Sequence, residues 1–118
     1  MAKVLVVDDS AFMRMRNAQL LKELGHEVIE AGDGAQAVAL YKQERPDAVL
    51  MDITMPVMDG LQALKAILEV DPAARVAMVT AMGQQSIVME AIKAGARDFV
   101  VKPFDPERVQ AALKKLVA

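Results

Sequence analysis

Val4-Leu5-Val6-Val7-Asp8-Asp9-Ser10 carries four apolar residues straight into two carboxylates and a helix-capping hydroxyl. An unbroken apolar run of this length reads as a strand buried on both faces, the kind found in parallel sheets. The pattern recurs. Ala48-Val49-Leu50-Met51 runs into Asp52, Val76-Ala77-Met78-Val79 into Thr80, and Phe99-Val100-Val101 into Lys102-Pro103. A further strand-like stretch, Glu27 to Ala31, closes on no such group. Open α/β sheets bind ligands beyond the carboxyl ends of their strands. The order acid pair, acid, hydroxyl, ammonium along one sheet edge is therefore the chemistry to explain.

Helical stretches separate the strands. Ser10 can cap a helix running to about Leu24, with Gly25 as its stop. Phe12, Met13, Leu20, Leu21 and Leu24 are its apolar positions. Gly32-Asp33-Gly34 turns into a second helix carrying Ala37, Val38, Leu40 and Tyr41, which Arg45-Pro46-Asp47 breaks. A third carries Leu61, Leu64, Ile67 and Leu68 and stops at Asp71-Pro72. A fourth carries Ile87, Val88, Ala91 and Ile92 and closes at Gly95. Asp105-Pro106-Glu107 starts the fifth with a capping acid, proline at the first helical position and an acid in the first turn. Val109, Ala112, Leu113, Leu116 and Val117 follow at helical spacing. The sum is (βα)5, a doubly wound parallel sheet with right-handed crossovers and helices on both faces. One domain over residues 1–118 is expected, with no output domain.

Composition narrows the partners. The 14 basic and 16 acidic side chains leave a net charge of −2, which gives nucleic acid no bulk attraction, and Lys114-Lys115 is a pair on a solvated face. Although 54% of the chain is hydrophobic, no run approaches the ~20 apolar residues a membrane span needs. No basic region precedes an apolar stretch at the N-terminus, so no signal peptide is expected, and a cytoplasmic location fits. The absence of cysteine excludes disulfides, thiolate chemistry and cysteine zinc sites.

Asp8, Asp9 and Asp52 converge at the carboxyl ends of neighbouring strands in this topology. Two unit charges about 5 Å apart repel by about 3 kcal/mol at an effective dielectric of 20. Lys102 offers one compensating charge and a divalent cation offers two. An all-oxygen donor set favours Mg2+ or Mn2+ over zinc or copper. Asp52 stands alone at its strand end and is the best nucleophile, while Asp8 and Asp9 form a natural chelating pair. A carboxylate attacking phosphorus yields an acyl phosphate. Thr80 can then donate to the new phosphoryl oxygens and Lys102 can pair with them. Taken singly, each residue has a blander role as cap, turn former or solvated charge; the combination in strand order argues for the site.

These stretches resemble a bacterial two-component receiver domain over essentially the whole chain. The resemblance rests on Val4 to Ser10, Met51-Asp52-Ile53-Thr54-Met55-Pro56-Val57-Met58-Asp59-Gly60, Val79-Thr80-Ala81 and Val101-Lys102-Pro103-Phe104. It implies a flavodoxin-like, CheY-like fold with strand order 2-1-3-4-5. It implies Asp52 as phosphoacceptor, and Asp9, Asp52 and the Thr54 carbonyl as magnesium ligands with Asp8 assisting. Thr80 and Lys102 would sense the phosphate, and the Lys102-Pro103 bond would be cis. Phe99 lies where the family has its switch aromatic, an inward-turning ring, although a plain core role would look the same. The outgoing surface would be the fourth helix, fifth strand and fifth helix. Asp8 to Arg14 resembles the chemotaxis type. That type implies a CheA-like histidine kinase as donor, the flagellar motor switch as target and a phosphatase as a further partner.

Two rival classes differ in chemistry. A phosphorelay carrier, or a receiver excised from a larger regulator, would share the whole site. A small aspartyl-phosphate phosphotransferase of the haloacid-dehalogenase type needs an acid two residues beyond its nucleophile, where this chain has Thr54. Gly32-Asp33-Gly34-Ala35-Gln36-Ala37 imitates a dinucleotide fingerprint, but Asp33 would repel pyrophosphate, and a turn with a capping Asp reads better. His26, the only histidine, reads as a surface residue rather than a phosphodonor. Most of the nine methionines read as adaptable packing, with a partner surface at Met55, Met58 or Met89 as the minority alternative.

Overall fold

Five strands and five helices alternate along the chain: β1 (Lys3–Val7), α1 (Ala11–Glu23), β2 (Glu27–Ala31), α2 (Gly34–Glu44), β3 (Ala48–Asp52), α3 (Gly60–Val70), β4 (Val76–Thr80), α4 (Gln85–Ala94), β5 (Asp98–Val101) and α5 (Pro106–Val117). The structure, a computed structural model, describes all residues except Met1, Thr54, Pro56, Val57, Met82, Gly83, Pro103, Phe104 and Ala118. The expected Thr54 carbonyl ligand and the cis bond before Pro103 fall outside the described residues. The strands pair in parallel in the order β2-β1-β3-β4-β5, as expected for the flavodoxin-like arrangement.

Strand parity sorts the apolar side chains onto two faces. Leu5, Val7, Val49, Met51, Val76 and Met78 pack with α2, α3 and α4 residues such as Ala37, Leu64, Ile67 and Val88. Val4, Val6, Leu50, Ala77, Val79 and Val100 pack with Leu21 of α1 and with Val109, Leu113 and Leu116 of α5. Both faces of the inner strands β1, β3 and β4 are covered, which is why these three read as continuous apolar runs. Burying a side chain of this size contributes about 1.5–3 kcal/mol, so the sheet is the rigid platform that carries the edge.

Helix ends use the signals visible in the sequence. Ser10 Oγ accepts from Met13 N at 3.3 Å and Asp33 Oδ1 from Gln36 N at 2.7 Å. Asp59 and Gln62 form a reciprocal capping box. Asp105 Oδ1 accepts from Glu107 N at 3.0 Å. Gly25 and Gly95 take the left-handed φ values of 96° and 123° that terminate α1 and α4. Asp33 is therefore a cap and Gly34 a spacer: a Cβ there would stand 2.7 Å from the Met58 carbonyl oxygen. That leaves the glycine pair no role as a phosphate loop.

Three expectations need correction. Phe12 is 61% exposed, because the covered stripe of α1 is Asn17, Ala18 and Leu21. At 100° per residue Phe12 falls on the far side of the helix, where its ring lies 5.7 Å from the Arg16 guanidinium carbon. Met15 and Met89 are each 58% exposed and do not pack inside, which for Met89 agrees with the surface alternative, whereas Met51, Met55 and Met78 are buried, against that alternative for Met55. His26 is only half exposed. Its Nδ1 accepts from Ala2 N at 3.2 Å and its Nε2 faces Gln110 Oε1 at 3.1 Å, so it ties the chain start to α5.

Candidate phosphoacceptor site

Register decides which acids meet. Val7 of β1 lies beside Met51 of β3, so the next residues, Asp8 and Asp52, leave the sheet side by side. Asp8, Asp9 and Asp52 each bring a carboxylate oxygen to within 4.8 Å of the others. Asp8 and Asp52 are buried and Asp9 is exposed. Asp8 is fixed from two sides. Its Oδ1 accepts from Ser10 N at 2.9 Å, and its carbonyl accepts from the Arg14 guanidinium at 2.6 Å. Arg14 also faces Glu30 at 3.3 Å, which ties α1 to β2 around the acids.

Asp52 is held from below. Gly60 N donates to the Ile53 carbonyl at 2.8 Å. A Cβ on Gly60 would sit 2.1 Å from the Asp52 carbonyl oxygen, far inside contact distance. The start of α3 can approach the acid's backbone this closely only if residue 60 has no side chain. This is the physical content of Asp59-Gly60: one residue caps α3 and the next admits the backbone of the acid.

Lys102 supplies the positive charge. Its Nζ donates to Asp52 Oδ2 at 3.1 Å and lies 3.6 Å from Asp8 Oδ2. Partial burial works to lower the ammonium pKa, but the Asp52 and Asp8 carboxylates outweigh it and the net shift is upward. The lysine therefore stays charged. One cation against three carboxylates leaves the cluster negative, and no described residue forms an ion pair with Asp9.

The structure does not bring Thr80 to the acids in the same way. Its hydroxyl donates to Gln84 Oε1 at 2.8 Å and approaches the Ala81 carbonyl at 3.0 Å. Nor is Phe99 a core residue, since it is 39% exposed. The Arg108 guanidinium lies 5.9 Å from that ring and donates to the Phe99 carbonyl at 2.5 Å. A cleft of about 330 Å³ beside α4 is lined by Thr80, Gln84, Val88, Met89, Phe99 and Val101. Arg14, Gln84 and Arg108 are therefore neighbours of the site that the sequence did not single out. Their signal is a long-range contact or a side-chain bond across a loop, which has no fixed spacing.

Residues 4–114 match the family described as response regulator receiver domain. The chain belongs to that family. Curated relatives of this receiver domain include the chemotaxis protein CheY of Thermotoga maritima, 54% identical over 97% of this chain and 96% of the relative. The chemotaxis protein CheY of Bacillus subtilis is 56% identical over 96% of this chain and 95% of the relative. Among solved structures, the CheX-CheY-BeF3-Mg complex from Borrelia burgdorferi superposes with a TM-score of 0.91 at 39% identity, covering 98% of this chain and 89% of that one. The receiver is a phosphorylatable signalling switch. Receiver domains bind Mg2+ at an acidic pocket, and the Asp8, Asp9 and Asp52 oxygens offer the hard donors such an ion prefers.

Proposed function

We propose that Asp52 accepts a phosphoryl group from a phosphohistidine on a CheA-like kinase and that the modified domain acts on the flagellar motor switch. The observation that carries this is the placement of the Asp52 carboxylate. It is buried between two further acids and within 3.1 Å of a lysine ammonium. An Asp52 oxygen attacks phosphorus, an O–P bond forms, and the N–P bond of the donor breaks. The electron pair returns to the imidazole nitrogen, which takes up a proton.

Asp8, Asp9 and Asp52 would hold Mg2+ or Mn2+, with the Thr54 carbonyl as the further ligand implied by the family resemblance. A divalent ion there neutralises charge that three carboxylates and an incoming phosphoryl group would otherwise pile up. The chain's own residues do the rest. Arg14 and Ser10 hold Asp8 in place. Gly60 keeps the Asp52 backbone seated. Lys102, released from Asp52 when the carboxylate is phosphorylated, pairs with the phosphoryl oxygens. Thr80 donates its hydroxyl proton to them, and Phe99 turns from its exposed position toward the space Thr80 leaves.

The switch then follows from differential binding of two states. The outgoing surface is α4, β5 and α5, and the domain works in the cytoplasm. Two relatives at more than half identity are chemotaxis proteins over nearly their full length, which supports the motor as target rather than a phosphorelay partner. The Borrelia complex with CheX supports a phosphatase as an additional partner. The test is a titration of the phosphorylated chain against a motor-switch peptide and against a histidine phosphotransfer domain. Tighter, phosphate-dependent binding of the peptide is expected. Transfer of the phosphate onto the histidine domain with no peptide binding would favour the relay carrier.

A further inference from the structure

We propose that Gln84 is the latch of the resting state, and that its hold on Thr80 must break before the phosphoryl group on Asp52 is captured. This inference rests on the phosphoacceptor reading above and names the residue that sets its resting balance. Gln84 occupies the N-cap of α4, with φ −107° and ψ 29°, yet its side chain makes no capping bond to its own helix. The carboxamide instead turns back to the end of β4. Gln84 Oε1 accepts from Ala81 N at 2.8 Å and from Thr80 Oγ1 at 2.8 Å.

The proton inventory makes the bond exclusive. A backbone N–H only donates, so the amide atom facing Ala81 N is the oxygen. The Thr80 hydroxyl on that same oxygen must then be the donor. A hydroxyl has one proton, and phosphoryl oxygens only accept. Thr80 therefore serves one acceptor at a time, Gln84 Oε1 at 2.8 Å, the more distant Ala81 carbonyl at 3.0 Å or a phosphoryl group on Asp52, and never Gln84 and the phosphoryl group together. The bond also ties the start of α4 to the sheet edge. Breaking it frees the helix entrance beside the cleft that Phe99 lines. One event thus connects phosphoryl capture, the α4 entrance and the space available to the ring. Coupling of this kind is reciprocal: whatever loosens the latch tightens phosphoryl binding by the same factor.

The test uses the full chain with Mg2+ and beryllium fluoride as phosphoryl analogue, with affinity followed by calorimetry and 19F NMR. Gln84→Met, which removes the acceptor, should bind about 2- to 10-fold more tightly, the factor one neutral hydrogen bond is worth. Gln84→Glu supplies a charged acceptor, a bond roughly twice as strong, and should bind more weakly. Gln85→Glu adds the same charge one residue away and should weaken binding less. In a Thr80→Ala background, Gln84→Met should change nothing. A wild-type measurement that needs no variant is the Ala81 amide proton, whose shift should move upfield on adduct formation. An unchanged or weaker affinity in Gln84→Met, an equal gain without the Thr80 hydroxyl, or a static Ala81 amide overturns the latch. A wild-type chain that takes up no adduct overturns the phosphoacceptor reading itself.

Discussion

Asp9→Asn should make the metal-free protein more stable while removing its response to magnesium. The Asp8, Asp9 and Asp52 oxygens lie within 4.8 Å of one another. At that distance two unit charges repel by about 3.5 kcal/mol at an effective dielectric of 20 and by about 0.9 kcal/mol in water. Lys102 faces Asp52 and Asp8 but forms no ion pair with Asp9. Asp9 is exposed, so screening brings its repulsion toward the lower figure. Acting against two neighbours, and with the attraction of Lys102 offsetting part of it, Asp9 destabilises the folded state by about 1 kcal/mol. Asparagine keeps the shape and removes the charge. For a domain of this size that corresponds to a rise in melting temperature of about 3–6 °C. Thermal melts followed by circular dichroism in EDTA read this shift directly. Added Mg2+ should raise the wild-type midpoint by mass action and leave Asp9→Asn nearly unmoved. A variant that melts at or below the wild-type temperature in EDTA would refute the charge argument. So would a variant that gains as much from magnesium as the parent.

Three further outcomes follow from named contacts. Gly60→Ala places a methyl 2.1 Å from the Asp52 carbonyl oxygen; it should lower stability by about 2 kcal/mol or more, the scale of overpacking, and slow phosphorylation by acetyl phosphate, and wild-type values on both would contradict the close approach. Tyr41 is buried, donates to Asp71 Oδ2 at 2.8 Å, and has its pKa pushed up to about 12 by burial and by that bond. A raised folded-state pKa gives stability that is full below the unfolded value of about 10 and is lost as pH rises through about 12; Tyr41→Phe should lose about 1 kcal/mol at pH 7 and flatten this alkaline decline in urea titrations. Phe99→Trp would be the only tryptophan in a chain that has none, and its emission should shift to the blue when beryllium fluoride and magnesium turn the ring inward; an unmoved spectrum in a chain that forms the adduct would argue against the aromatic switch.

The parallel sheet and the meeting of Asp8, Asp9, Asp52 and Lys102 were legible because strand parity and the strand-end position act locally, whereas the strand order came from the family resemblance. Each apolar run announces a doubly covered strand, and the residue after it must leave at the ligand edge. The caps at Ser10, Asp33 and Asp105 were legible for the same reason, since a cap bonds within three residues, while the Asp59 capping box came to light only in the structure. What escaped is tertiary. Phe12 looks like a core residue until the covered stripe of α1 is known. Phe99 sits in a strand, yet the sheet face over it is an open cleft. His26 reads as surface because its partners, Ala2 and Gln110, lie 24 and 84 residues away. Gln84 had no signal, because a glutamine reaching back across a loop to a strand end follows no sequence rule.

The central claim is that the lone carboxylate at the end of β3 becomes an acyl phosphate. The most direct measurement is intact mass after incubation with acetyl phosphate and magnesium, followed by borohydride trapping and peptide mapping. The account expects a single added phosphoryl group, mapped to Asp52, that is absent in Asp52→Asn and in EDTA. A phosphoryl group on another residue, or none in the folded wild-type chain with magnesium present, would contradict it.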